Sequence, residues 1–306
     1  MKILIIQSPN YDFQQSSLIE GLSELSKKDS SLIFKCTETS NYALTQEDNH
    51  IIDSDVISYG KGSDLIVLCS NNEVKEYLLE LIDPEHKKIV YLDGEDSPLY
   101  RRNPSDFIYY FKREMLLEAD HKKNVYPFQF GAEKRYFKQH QEKEFFLTCM
   151  FGPHDDTKSW RKDIEFKLLK MNISKDKSTI IGQIYGNNQN IIDTGNRNHQ
   201  NYFESLSKSE ISVDAYGSLG CQSGRFYEIL ANKCCLLTQK IRIHMPNEFL
   251  ENYHYLEYNL DNLEERVNYL SDNREEIQRI ARNGYEHLIE YHTTEKRAEY
   301  FLEFFK

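Results

Sequence analysis

No run of about 18 apolar residues occurs in the chain, which excludes a helix that crosses a bilayer. Basic residues are in deficit. With 38 Lys and Arg against 49 Asp and Glu the net charge is -11, so duplex nucleic acid would meet repulsion instead of a basic stripe. Small anions are not excluded by that balance, because a few Arg side chains and helix-terminal N–H groups hold a diphosphate inside an acidic protein. Cysteine is sparse: the six residues at 36, 69, 149, 221, 234 and 235 show no CxxC spacing, and all but Cys221 lie in or beside apolar runs. Reduced core thiols are expected, in place of a zinc site or a disulfide framework. No GxGxxG follows the first apolar run, which argues against a nicotinamide-dinucleotide enzyme. Internal repeats and low-complexity linkers are also missing.

What is present is the pattern of an α/β protein. The 306 residues suit two domains of about 150 residues each, and 21 Tyr and 17 Phe provide large surfaces to bury. Short β-branched runs alternate with helix-period stretches, the mark of parallel βαβ units. In the first half strands are expected at 2–6, 32–36, 65–69 and 88–92, with helices at 17–27 and 73–81. The opening run 1–7 is too short for a secretory signal and reads as the first strand, so a cytoplasmic protein is expected. Residues 111–115 read as an amphipathic element, and 125–131, with Pro127 and Gly131, as an interdomain crossing. The boundary is placed near 140, giving domains 1–140 and 141–306. The second half restarts with a strand at 145–151, a helix at 158–170, further strands at 179–184, 211–214 and 234–238, helices at 200–207 and 224–232, and three closing helices.

The segment from Asp214 to Ala231 carries the strongest chemical signal. A strand ends there, a Gly-rich loop follows, and a helix opens with free N–H groups at Ser223 and Gly224. Arg225 adds a planar guanidinium whose charge opposes the helix dipole and therefore calls for an anion. Glu228, one turn on, projects over the same helix end and can accept both hydroxyls of a ribose. Two readings stand at this point: a nucleotide-diphosphate site, or a tight loop with Arg225 paired to Glu228 at i, i+3.

Residues 223–239, SGRFYEILANKCCLLTQ, resemble the donor-site helix of the glycosyl transferases group 1 family, especially its spore-maturation CgeB-like branch. The R-x-x-E-x-x-A pattern of that branch is matched by Arg225, Glu228 and Ala231, and its closing helices by Ile280, Ala281, Gly284, His292, Thr293 and Arg297. The resemblance spans roughly 144–305. It implies a GT-B fold, with two Rossmann-like domains facing across a cleft, and gives Glu228 the ribose hydroxyls of a nucleotide-sugar donor. Gly220 departs from the wider family, many of whose members carry an acid eight positions before that Glu.

The resemblance also implies that the turn after strand 145–151 faces the cleft, which makes Gly152 and Arg161 candidates for the diphosphate and Lys158 a lesser one. His154, Asp155 and Asp156 read as solvated loop acids and a helix cap, and no metal is expected. Arg197, in a Gly-rich polar loop, is a further candidate for base or phosphate, against an ordinary solvent loop. In the first half, Asp93 and Glu95 follow an apolar strand where open α/β sheets place ligands. They are candidates for the catalytic base or for positioning the acceptor; the competing reading is a cap on the next helix. His292 to Thr294 read as a helix cap. The expected function is transfer of a sugar from a nucleotide-diphosphate donor to a glycan, lipid-linked or protein acceptor, without a cofactor. The competing readings are a nucleotide-sugar-binding regulator, an inactive transferase-like protein and a nucleotide-sugar epimerase.

Overall fold

The computed structural model describes residues 1–8, 12–37, 49–70, 77–139, 141–151, 159–171, 173, 179–183, 200–217 and 222–306, without the side chains of 159, 180–183, 200 and 201. Runs such as LIVLC and IVYLD are apolar at nearly every position, which suits strands covered by helices on both faces. In the first unit, β1 (Lys2–Ile6), β2 (Ile33–Cys36), β3 (Leu65–Cys69), β4 (Ile89–Asp93), β5 (Tyr109–Lys112) and β6 (Val125–Pro127) form a parallel sheet in the order β2-β1-β3-β4-β5-β6. Side chains alternate between its two cores. Ile3, Ile5, Val67, Val90 and Leu92 meet α1 (Phe13–Lys28), whereas Leu4, Ile6, Ile66, Leu68 and Tyr91 meet α2 (Asp53–Lys61) and α3 (Tyr77–Ile82).

The second unit has its own parallel sheet, built from β7 (Phe145–Phe151), β8 (Thr179–Gln183), β9 (Ser209–Val213), β10 (Cys235–Thr238) and β11 (Leu256–Glu257) in the order β11-β10-β9-β7-β8. Its helices are α4 (Ser159–Lys170), α5 (Gln200–Ser207), α6 (Gly224–Ala231), α7 (Leu263–Asp272) and α8 (Arg274–Tyr291). One face of the sheet, with Leu147, Cys149, Ile211, Val213 and Leu237, packs with Ile164, Leu168, Val267 and Ile277 in a single core. Gly284 of α8 lies so close to the His254 carbonyl that an added Cβ would stand 2.5 Å from its oxygen, which fixes glycine there.

The final helix, α9 (Thr294–Glu303), returns to the first unit and lies on α1. A Cβ on Gly21 would stand 2.1 Å from the Thr294 carbonyl oxygen, so only glycine permits this approach. Thr293 caps α9 by accepting from the Lys296 amide at 3.2 Å, in keeping with the cap read at 292–294. His292 Nε2 bonds the Asn247 carbonyl at 2.8 Å, and Arg297 donates to the Phe130 carbonyl at 3.1 Å and meets His292 Nδ1 at 2.5 Å. Residues 242–247 also join this unit through the Leu117 and His244 amides, which donate to the Arg242 and Met115 carbonyls. The division is therefore not one cut near 140: 1–133, 242–247 and 291–306 make one unit, and 134–241 with 248–290 the other.

Two local expectations are corrected. Residues 109–112, within and beside the stretch read as an amphipathic element, form β5, and 125–127 form β6 inside the first unit's sheet in place of a crossing. The cause is burial of Tyr110, Phe111 and Val125 together with neutralisation of the buried Lys112 by Asp93. The five described cysteines are all buried and unbridged. Among the described residues no helix is long and apolar enough to cross a membrane.

Candidate functional site

The carboxyl ends of β7 and β9 bring several charged groups together within the second unit, at the strand ends where parallel sheets gather ligands. Phe151 closes β7, Asp214 follows β9, and Ser223 caps α6 with its backbone. The Ser223 hydroxyl is not spent on the helix: it donates to Asp214 Oδ1 at 2.7 Å. Arg225 Nη1 reaches the same oxygen at 3.4 Å, and both side chains are buried. That distance is long for a charge-assisted bond. Arg225 Nε, also buried, has no partner among the described residues.

Arg161 comes from α4 and donates through Nη2 to the Tyr216 carbonyl at 3.1 Å. The Arg161 and Arg225 guanidinium carbons lie 5.8 Å and 5.2 Å from the Phe151 ring centre. One aromatic ring thus meets two buried cations. One turn along α6, Glu228 accepts from the Tyr202 hydroxyl of α5 at 2.7 Å. The i, i+3 pairing of Arg225 with Glu228 is not the arrangement found, since the carboxylate bonded to Arg225 belongs to Asp214.

The electrostatics follow from burial. Desolvation raises the Asp214 pKa above the ordinary carboxylate value, against the pull of Arg225, the Ser223 hydroxyl and Arg161. At Arg225 desolvation acts downward, yet the fields of Tyr202, Asp214 and Glu228 more than offset it and the net shift is upward. Arg225 therefore stays charged. Tyr202 is pushed well above the usual phenol range by burial and by Glu228, so it remains a donor. A helix terminus, two guanidiniums beside one aromatic ring and an oriented carboxylate form a corner that can take a diphosphate and an adjoining diol.

Ser223, Gly224, Arg225, Glu228 and Arg161 are thus gathered at one place, with Asp214, Tyr202 and Phe151 as partners that sequence reasoning did not assign. Asp214 was within reach, as the acid that ends the strand before the Gly-rich loop. Gly152 and Arg197 lie outside the described residues, as do Lys158, His154 to Asp156 and Gly220.

In the first unit Asp93 is fully buried at the end of β4. Its oxygens accept from Lys112 Nζ at 3.0 Å, the Glu95 amide at 3.2 Å, the Arg101 amide at 3.3 Å and the Tyr110 hydroxyl. A carboxylate so engaged and buried offers no exposed lone pair of the kind a general base uses. Glu95 differs. It is half-buried, and its Oε1 is enclosed without a hydrogen-bond partner among the described residues. Its charge, like that of Arg113, acts on Asp12, the N-cap of α1, whose carboxyl is raised chiefly by burial.

Residues 165–303 match the family model described as "Glycosyl transferase-like". No curated protein sequence matches the chain. Among solved structures, Anabaena Alr3699/HepE in complex with UDP-glucose is 9% identical with a TM-score of 0.65, covering 100% of this chain and 99% of that one. An α-glucosyltransferase in complex with UDP and a 13-mer DNA containing a central A:G mismatch is 16% identical, TM-score 0.68, covering 99% and 98%. A glycosyltransferase from Rickettsia africae ESF-5 is 12% identical, TM-score 0.64, covering 100% and 97%. The chain has the α/β fold of these glycosyltransferases, and its stretch from 165 to 303 carries the glycosyltransferase-like sequence pattern.

Proposed function

We propose that this chain is a GT-B glycosyltransferase that moves a sugar from a nucleoside-diphosphate donor held by the second unit to an acceptor on the first, across the cleft that the GT-B reading implies. The observation that carries the reading is the corner at α6, where Arg225 and Arg161 share the Phe151 ring and Glu228 stands one turn away. As the anomeric carbon gains oxocarbenium character, the departing diphosphate gathers negative charge. The buried Arg225 and Arg161 and the N–H groups at Ser223 and Gly224 neutralise it, which is electrostatic stabilisation of the transition state. On this reading the charge is balanced by protein groups, with no metal or resident cofactor called upon. Glu228 accepts the ribose hydroxyls, and Glu95, whose enclosed Oε1 has no hydrogen-bond partner among the described residues, takes the acceptor proton or positions the acceptor.

The UDP-glucose and the UDP bound by two of the similar structures support a nucleotide-sugar donor, and the CgeB-like resemblance supports an acceptor in glycan or surface-polysaccharide synthesis. The net charge of -11 argues against a polyanionic acceptor. A cytoplasmic location belongs to the same reading.

One observation favours a second reading. With Asp93 locked to Lys112, the first unit offers one of its two expected bases, as in a nucleotide-sugar-binding regulator or an inactive transferase-like protein. A thermal-shift panel of nucleoside diphosphates and nucleotide sugars tests the shared part, because a ligand at 100 times its Kd stabilises by about 2.7 kcal/mol. Release of labelled sugar then separates the two. Turnover that disappears in Glu95→Gln with binding intact supports the enzyme, and binding without turnover in the unaltered chain supports the regulator.

A further inference from the structure

We infer that Tyr202 is a positioning residue for Glu228, and that it sets how strongly the site prefers a ribose to a 2′-deoxyribose. The inference rests on the donor-site reading above.

Arg225 and Glu228 lie three residues apart on α6, a spacing at which a free glutamate folds back onto an arginine. Such a collapse would consume both groups at once, the cation meant for phosphate and the carboxylate meant for the pentose. Among the described residues, two contacts hold them apart. Asp214 Oδ1 engages Arg225 at 3.4 Å, and the Tyr202 hydroxyl holds Glu228 Oε2 at 2.7 Å.

Tyr202 is well suited to this task. Its side chain is buried, and its ring packs on Phe203 at 5.1 Å and 65°, so the hydroxyl has a fixed origin. The bonded proton belongs to the phenol, since an ionised carboxylate has none to give. The phenol oxygen then keeps acceptor capacity for a ligand hydroxyl beside the one that Glu228 takes. A pocket arranged in this way loses hydrogen bonds when a nucleotide lacking the 2′-hydroxyl binds, which is how polar sites discriminate.

The test is calorimetric titration of the full chain with UDP, GDP and ADP and with their 2′-deoxy counterparts. The protein is compared with Tyr202→Phe, Glu228→Gln and the double variant. Phe keeps the ring packing, and unliganded melting confirms folding. The expected result is a ribonucleotide preference that Tyr202→Phe reduces about tenfold by weakening the ribonucleotide alone, with no further effect of Tyr202→Phe in the Glu228→Gln background. An unchanged preference in Tyr202→Phe, while Glu228→Gln abolishes it, overturns the role of Tyr202 and leaves the donor-site reading standing. Equal weakening of both nucleotide types in Tyr202→Phe overturns it too, as a packing effect. If the unaltered chain binds none of the three diphosphates, or binds ribo and deoxy forms alike with Glu228→Gln silent, the donor-site reading itself falls.

Discussion

Replacing Arg225 with Ala distinguishes a side chain that holds the fold from one that waits for a ligand, provided that Asp214 is varied with it. Losing one member of a buried ion pair costs about 3–5 kcal/mol in general. Here the pair is long, at 3.4 Å, and Asp214 keeps the Ser223 hydroxyl at 2.7 Å and the field of Arg161. Burial has already raised the Asp214 carboxyl, so it can take a proton when its cation is lost. The expected loss for Arg225→Ala is therefore smaller, about 2–3 kcal/mol, or roughly 5–10 °C in Tm for a unit of this size. Asp214→Asn in the same chain removes the stranded charge while the amide oxygen still accepts from Ser223, and most of the loss should return. Melts with and without saturating nucleoside diphosphate complete the assay. The double variant is expected to be nearly as stable as the unaltered protein yet to lose the ligand-induced rise. A full rise in the double variant would refute the assignment of Arg225 to the ligand, and an unchanged Tm for Arg225→Ala would refute the energetic reasoning about the pair.

Three further outcomes are expected. Lys112→Met should cost about 3–5 kcal/mol, read by urea denaturation, because it strands the fully buried Asp93; Asp93→Asn with wild-type Tm but lost turnover would instead restore Asp93 as the base. Gly21→Ala should destabilise by about 1–3 kcal/mol, since its Cβ would lie 2.1 Å from the Thr294 carbonyl oxygen, and an unchanged denaturation midpoint would contradict the α1–α9 packing. His254 accepts the Leu250 amide through Nδ1 at 2.9 Å and stacks on His287 at 4.1 Å, and its pKa is pulled from 6.5 to about 4 by burial and then by His287. The unfolded chain therefore binds the extra proton first: the stability contributed by neutral His254 is complete above about 6.5 and declines as pH falls toward about 4. His254→Asn, which keeps an acceptor, should flatten that acid slope in pH-dependent melts, and an unaltered slope would speak against it.

The strands β1, β3 and β7 were legible because an uninterrupted β-branched or apolar run has few other uses in a parallel α/β chain. β5 was not, since the lysine that ends it is acceptable in a buried sheet only through Asp93, nineteen positions away. The same distant pairing hid the fate of Asp93, which looks like a free strand-end acid when its sequence neighbours alone are considered. Arg225 and Glu228 were legible because both fall in one short helix after a Gly-rich loop. Asp214 and Tyr202, separated from them by 11 and 26 positions, acquire their roles through folding. The return of α9 to α1 is a contact between the two ends of the chain, and it has no local signal apart from the small residues Gly21 and Ala298 that permit it.

The central claim is that the corner at α6 holds a nucleoside diphosphate, and a crystal structure of the chain grown with the diphosphate that gives the largest thermal shift tests it most directly. The account predicts phosphate oxygens within hydrogen-bond distance of Arg225 and of the amides at the start of α6, and ribose hydroxyls on Glu228. Nucleotide bound elsewhere, with Arg225 still turned to Asp214, would contradict it.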